Sequence, residues 1–109
     1  MIRIRIEGSP GQVKGFLIWG HAGSRPAGRD IVCAGVSALA TTCLLGLEAY
    51  LPDGFRFAVS GEGIMFCRLK DTLSPDENNA AQVLLGTMVR GCVEICRENA
   101  RYVDFAYRR

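Results

Sequence analysis

His21 and Cys33 are the two residues whose types and spacing suit catalysis. His21, the only histidine, directly follows an apolar segment typical of a strand, and Cys33 opens a long apolar segment typical of a helix. The loop between them contains glycines and a proline, which favour a bend. If Asp30 is the helix N-cap, Cys33 falls in the first turn, where the helix dipole favours the thiolate. The pattern therefore predicts a Cys–His nucleophile pair in which His21 holds the proton or the charge.

Seven elements must position this pair. Period-two alternation and apolar runs predict strands, and longer apolar segments between turn signals predict helices. The predicted bounds are strands over 2–7 and 13–20, a helix over about 31–51, strands over 55–60 and 64–70, a helix over about 75–99 and a strand over 102–107. This order, β-β-α-β-β-α-β, predicts an α+β fold in which two helices pack on a mostly antiparallel sheet. Short connections predict that the first two strands form a hairpin.

Local signals fix two boundaries. Ser74, Pro75 and Glu77 have the spacing of a capping box with proline at the first helical position, which predicts the start of the second helix. The turn at 60–63 contains two glycines that can take positive φ, which predicts a second hairpin. On the second helix, Gln82 is predicted to face water. The buried face is predicted to be Ala81, Leu84, Leu85, Met88, Cys92 and Ile95.

The first helix is apolar almost all round, so the sheet, the second helix or another subunit must cover it. Its few polar residues are not scattered. Ser37, Thr41 and Glu48 follow Cys33 at helical spacing, so all four are predicted to share one stripe.

Composition limits the class of protein. The 109 residues fit a single domain over 1–109, and the net charge of +2 is too small to indicate nucleic-acid binding. The uncharged segment 31–47 falls short of the ~20 apolar residues of a membrane span. Five cysteines, mostly in apolar segments, indicate a cytoplasmic protein with reduced thiols. We expect no nucleic-acid partner, no membrane association and no cofactor.

The other four cysteines are assigned to the core: Cys43, Cys67, Cys92 and Cys96. Two of them, Cys92 and Cys96, share a helical face, but a zinc site needs about four converging ligands. We therefore expect no metal.

The segments Gly20-His21-Ala22 and Asp30-Ile31-Val32-Cys33-Ala34-Gly35-Val36-Ser37 resemble the motifs of the ribosomal-processing cysteine proteases, a small bacterial family. The resemblance implies an endopeptidase that removes a short N-terminal extension from a large-subunit ribosomal protein, with aromatic and aliphatic residues beside the cut. It also implies a homodimer, a Cys33 nucleophile and a His21 base. The supporting site residues that it implies are Asp30, Ser37, Gly20 and Ala34.

Other functions stay open at this point. A module that binds a ribosomal or assembly partner without catalysis would use the same groove, and a redox sensor would use Cys33 as its reactive thiol. Asp30 is a candidate for orienting His21, although a capping role competes for its carboxylate. The Ser37 hydroxyl either bonds within the site or to a helix carbonyl.

Overall fold

The fold has five strands and two helices in the predicted order. The computed structural model describes residues 1–20, 27–61 and 63–109, with residues 27–30 described by their backbone alone. The elements are β1 (Ile2–Ser9), β2 (Gln12–Trp19), α1 (Ala27–Tyr50), β3 (Phe55–Val59), β4 (Met65–Leu69), α2 (Pro75–Glu98) and β5 (Val103–Arg108). The predicted α+β class is confirmed, and most element boundaries fall within two residues of those predicted.

The strands form one sheet in the order β3-β4-β2-β1-β5. The β1–β2, β2–β4 and β3–β4 pairs are antiparallel, whereas β1 and β5 pair in parallel. It follows that β2 and β3 run in the same direction with β4 between them, and that α1 connects them. In the same way α2 connects β4 to β5. The end of β2, the beginning of α1 and the end of β3 therefore meet at one end of the sheet.

The core lies on the face of the sheet that the helices cover. Strand register aligns buried side chains in rows across this face, for example Ile6 of β1 with Phe16 of β2 and Cys67 of β4. Phe16 is 1% exposed and Ile6 fully buried. The opposite face carries charged side chains, including the Arg5–Asp104 ion pair at 2.7 Å.

Helix α2 begins where the sequence predicts. Ser74 is the N-cap, its hydroxyl accepts a hydrogen bond from the Glu77 N–H at 3.1 Å, and the Ser74 N–H donates to Glu77 Oε1 at 2.9 Å. The prediction that Gln82 faces water is wrong. Its side-chain amide donates to the Val13 carbonyl and accepts from the Val13 N–H, both at 2.8 Å. The reason is that β2 begins beside α2, which no local pattern reveals.

Glycines bring the two helices close together. A Cβ at Gly46 of α1 would lie 2.8 Å from Leu84 Cδ2 of α2, and a Cβ at Gly91 of α2 would lie 2.8 Å from Leu39 Cδ1 of α1. Each helix thus receives a leucine of the other over a glycine. This contact covers one side of α1, and the sheet covers another.

The remaining surface of α1 is open and apolar. Ile31 is 74% exposed and Leu45 61% exposed. Residues Ile31–Tyr50 are long and apolar enough to cross a membrane by length and composition alone, a property that core helices of folded domains share. Here the buried side of the helix packs in the core through Val36 and Leu47, both fully buried.

Candidate active site

Cys33 lies on α1, but not in its first turn. The helix begins at Ala27, so Cys33 is its seventh residue and Asp30 lies inside the helix. The prediction that Asp30 is the N-cap is therefore wrong. Alanine favours helix, the sequence has a proline directly before it, and an acidic residue suits the first turn. Because the dipole acts mainly within the first turn, the position of Cys33 does not support the expected contribution of the helix dipole.

The Cys33 side chain is at the margin of the core. It is 6% exposed and belongs to the cluster of buried apolar residues. It is a thiol and not part of a disulfide. Little of this residue is therefore in direct contact with solvent.

The predicted base, His21, lies outside the described residues. The ends that flank it are described. β2 ends at Trp19 and α1 begins at Ala27, and both ends lie at the same end of the sheet as Cys33. The described ends of β2 and α1 thus lie at one end of the sheet, and the predicted pairing of His21 with Cys33 stays a prediction.

Gly20, one of the predicted supporting residues, has a clear physical requirement for glycine. Its φ is +97°, a left-handed conformation, and a Cβ here would lie 2.2 Å from the Met1 carbonyl oxygen. No other residue type fits without moving the first strand. Gly20 thus fixes the direction in which the chain leaves β2 toward residue 21.

The other predicted supporting residues lie on α1. Ala34 is exposed beside Cys33, and Ser37 is half-buried one turn later. Asp30 lies within α1, in the helix's first four residues. Two of these, Ala34 and Ser37, thus lie within about one turn of the Cys33 backbone, as the motif spacing requires.

The predicted polar stripe of α1 lines a groove. Ser37, Thr41 and Glu48 face a cavity of about 440 Å³ whose opposite wall is β3, with further lining from the β3–β4 turn and Met65. The predicted stripe of four residues is confirmed for Ser37, Thr41 and Glu48, whereas Cys33 is buried and does not line the cavity. Ser37 is one turn after Cys33 on α1, so the near end of the groove lies about one helical turn from the Cys33 backbone.

Sequence reasoning missed the strand wall of this groove. Phe57 and Val59 of β3 are each 55% exposed, although their alternation is typical of a strand packed on a core. Their side chains lie on the helix face of the sheet, beyond the reach of α1. The available signal was that two helices are too few to cover five strands.

Three of the remaining cysteines have thiols of low reactivity at neutral pH. Burial raises the pKa of Cys43 to about 11 and of Cys67 and Cys92 to about 12. At pH 7 a thiol of pKa about 11 is thiolate in only roughly one molecule in ten thousand, and the thiolate is the reactive form. Their assignment to the core is confirmed.

Cys96 differs from these three because it is half-buried. Its thiol donates to the Val103 carbonyl at a sulfur–oxygen distance of 3.7 Å. Among the described residues, no group of three or more histidine, cysteine, aspartate or glutamate side chains could hold a metal ion.

Comparison with known proteins identifies the family. The model of the family described as cysteine protease Prp matches residues 1–104 of the chain. A search of the curated proteins found no match.

Solved structures share the fold. The essential ribosomal processing protease Prp from S. aureus, in complex with a substrate peptide, is 25% identical with a TM-score of 0.85, and the alignment covers 99% of this chain and 100% of that one. The same protease with a covalently linked product peptide is 28% identical with a TM-score of 0.79, at the same coverage. SMU.848 from Streptococcus mutans is 24% identical with a TM-score of 0.83, covering 98% of this chain and 93% of that one.

Fold, element order and a family match over nearly the whole length agree, and the chain belongs to the cysteine protease Prp family.

Proposed function

We propose that this cysteine protease removes a short N-terminal extension from a large-subunit ribosomal protein, with Cys33 as nucleophile and His21 as base. The observation that carries the proposal is the position of Cys33 on α1, at the sheet end where β2 ends and one helical turn before Ser37, which lines a groove. Supporting it, the S. aureus Prp structures contain a substrate peptide and a covalently linked product peptide.

The proposed reaction has two steps. His21 takes the thiol proton, and the Cys33 sulfur attacks the scissile carbonyl carbon. The carbon–nitrogen bond then breaks, the leaving amine receives the proton from His21, and an acyl-enzyme remains on sulfur. Water, deprotonated by His21, attacks the thioester in the second step. The acid product leaves, and the thiol regains its proton.

The test is cleavage of the N-terminally extended ribosomal protein, followed by mass spectrometry of the product. Wild-type protein should yield one shortened species, and Cys33→Ala should yield none. Cys96→Ala is the matched control, because Cys96 is half-buried and lies away from the groove, and it should cleave at the wild-type rate. Cleavage by Cys33→Ala would refute the nucleophile assignment.

The role of His21 has its own test. His21→Ala should lower the rate at which iodoacetamide alkylates Cys33 at neutral pH, because the base that withdraws the thiol proton is lost. The extent of alkylation at each cysteine is read by peptide mass spectrometry. An unchanged rate at Cys33 would remove His21 from the activation step.

We also propose that the protein is a homodimer. The support is the outward side of α1, where Ile31 is 74% exposed and no charged residue interrupts Ala34, Ala38 and Thr42. Burying this side in a partner would remove apolar surface from water. Sedimentation at micromolar concentration should show a dimer that Ile31→Asp dissociates. A monomeric wild-type protein would contradict the proposal.

A further inference from the structure

The groove beside Cys33 has an open strand as one wall. α1 contributes Ser37, Thr41, Leu44, Leu45 and Glu48, and β3 contributes Phe55, Phe57 and Val59. The most exposed of the apolar lining residues are Leu45 at 61% and Phe57 and Val59 at 55% each. A binding partner that fills this groove must therefore supply apolar side chains.

The backbone of β3 is also available for pairing. The Lys70 N–H donates to the Gly54 carbonyl at 2.8 Å, and the Ser60 N–H donates to the Ile64 carbonyl at 2.9 Å. In an antiparallel ladder such pairs recur at every second residue, so Arg56 and Ala58 also bond to β4. The N–H and C=O groups of the alternate residues, 55, 57 and 59, point away from β4. Within the part of the chain that the structure describes, no strand lies beyond this edge.

The same three residues place their side chains on the helix face. Phe57 is in register with Cys67, which is buried under the helices. A strand that pairs with the free edge of β3 would therefore have every second side chain directed into the groove under α1. Backbone pairing and side-chain pockets together are the features of recognition by strand addition.

The length and direction of the groove match a peptide that reaches Cys33. At a helical rise of about 1.5 Å per residue, Ser37, at the near end of the groove, lies about 6 Å beyond Cys33 along α1. Glu48, at the far end, lies about 16 Å further on. About 16 Å is the length of roughly five extended residues. β3 has five residues, and its end, Val59, lies at the sheet end nearest the thiol.

We propose that the substrate peptide binds as a sixth strand along the free edge of β3, with alternate apolar side chains in the groove and the scissile bond at Cys33. This inference rests on the proposed peptidase function and names the peptide chemistry that the site selects: an extended, apolar segment of about five residues on one side of the cut. Among the described residues that line the groove, Glu48 is the charged one, so acidic side chains are disfavoured at the end far from Cys33.

Two measurements test the proposal with the extended ribosomal protein as probe. The first is kcat/KM for Val59→Asp, which should fall at least tenfold, because a carboxylate would enter the apolar groove. Val83→Asp is the matched control. Val83 is 68% exposed on α2 and lies outside the groove, so its kcat/KM should stay within twofold of wild type. Urea unfolding of both variants verifies that the fold is retained.

The second measurement is amide hydrogen exchange in the Cys33→Ala protein with and without the probe. Bound peptide should slow exchange at Phe57 and Val59, whose N–H groups face outward, and leave Ala58 unchanged, since its N–H already bonds to β4. Two outcomes would overturn strand addition while leaving the proposed function in place. One is cleavage by wild type without this alternating protection. The other is equal kcat/KM for the two aspartate variants. Protection that grows with protein concentration without probe would assign the edge to a second copy. Failure of wild type to cleave would overturn the proposed function and this inference together.

Discussion

Two leucines two residues apart on α1 separate stability from peptide binding. Leu47 is fully buried in the core, whereas Leu45 is 61% exposed and lines the groove. We expect Leu47→Ala to destabilise the fold and leave the groove intact. We expect Leu45→Ala to do the reverse. Both changes remove the same atoms from the same helix, so each variant is the control for the other.

The magnitudes follow from burial. Leucine to alanine removes three carbons, each contributing about 0.8 kcal/mol when buried. At Leu47 the loss of transfer free energy plus the cavity left behind gives about 3–4 kcal/mol. At Leu45 only about two fifths of the residue is covered, so less transfer free energy is lost and no closed cavity forms. The higher helix propensity of alanine restores a few tenths of a kcal/mol. The expected loss in the free energy of unfolding is therefore under about 1 kcal/mol.

Urea unfolding at 25 °C, followed by circular dichroism, measures the free energy of unfolding. Cleavage of the extended ribosomal protein, measured well below the unfolding transition, gives kcat/KM. Leu45→Ala should lower kcat/KM several-fold, and Leu47→Ala should leave it near wild type. Equal losses of stability in the two variants would refute the burial argument. Equal kcat/KM would show that Leu45 does not contact the substrate.

Three more predictions concern single sites. Burial raises the pKa of Cys67 to about 12, so the folded protein keeps a proton that the unfolded chain releases above about pH 9. The stability from this group is therefore complete below that pH and is lost as pH rises. Cys67→Val should flatten the alkaline decline in the free energy of unfolding by up to roughly 1 kcal/mol per pH unit, measured by urea titration. Ser74→Ala should lower the free energy of unfolding by about 1 kcal/mol through loss of the cap to Glu77, and an unchanged urea midpoint would contradict this. Gly20→Ala should lower the free energy of unfolding by at least about 1 kcal/mol, because the φ of Gly20 is positive and a Cβ there would meet the Met1 carbonyl. The same change should also slow cleavage.

The sequence predicted α2 well because its start is a local event. The capping box joins Ser74 to Glu77, three residues apart, so the signal and the structure coincide. The start of α1 was misplaced because two local signals compete there. Asp30 is a good cap residue, but Ala27 and the proline before it also favour a helix start, and the structure begins α1 at Ala27.

Motif spacing predicted Cys33 as the nucleophile, whereas no pattern in the sequence predicted the groove. Phe57 and Val59 are exposed because β3 is an edge strand, and β3 is an edge strand because two crossover connections interleave the strands as β3-β4-β2. Such an order depends on contacts between distant segments, so periodicity within five residues cannot reveal it. The bond from Gln82 to Val13 was missed for the same reason.

The interlocking of Leu84 over Gly46 and of Leu39 over Gly91 has a consequence for molecular recognition. These two contacts hold α1 against α2 at two points along its length, which opposes sliding of one helix past the other. For the proposed substrate strand, a helix held in this way would leave most of the loss of conformational entropy on the peptide. On the proposed strand addition, we expect the tightest binding from segments that already favour an extended backbone.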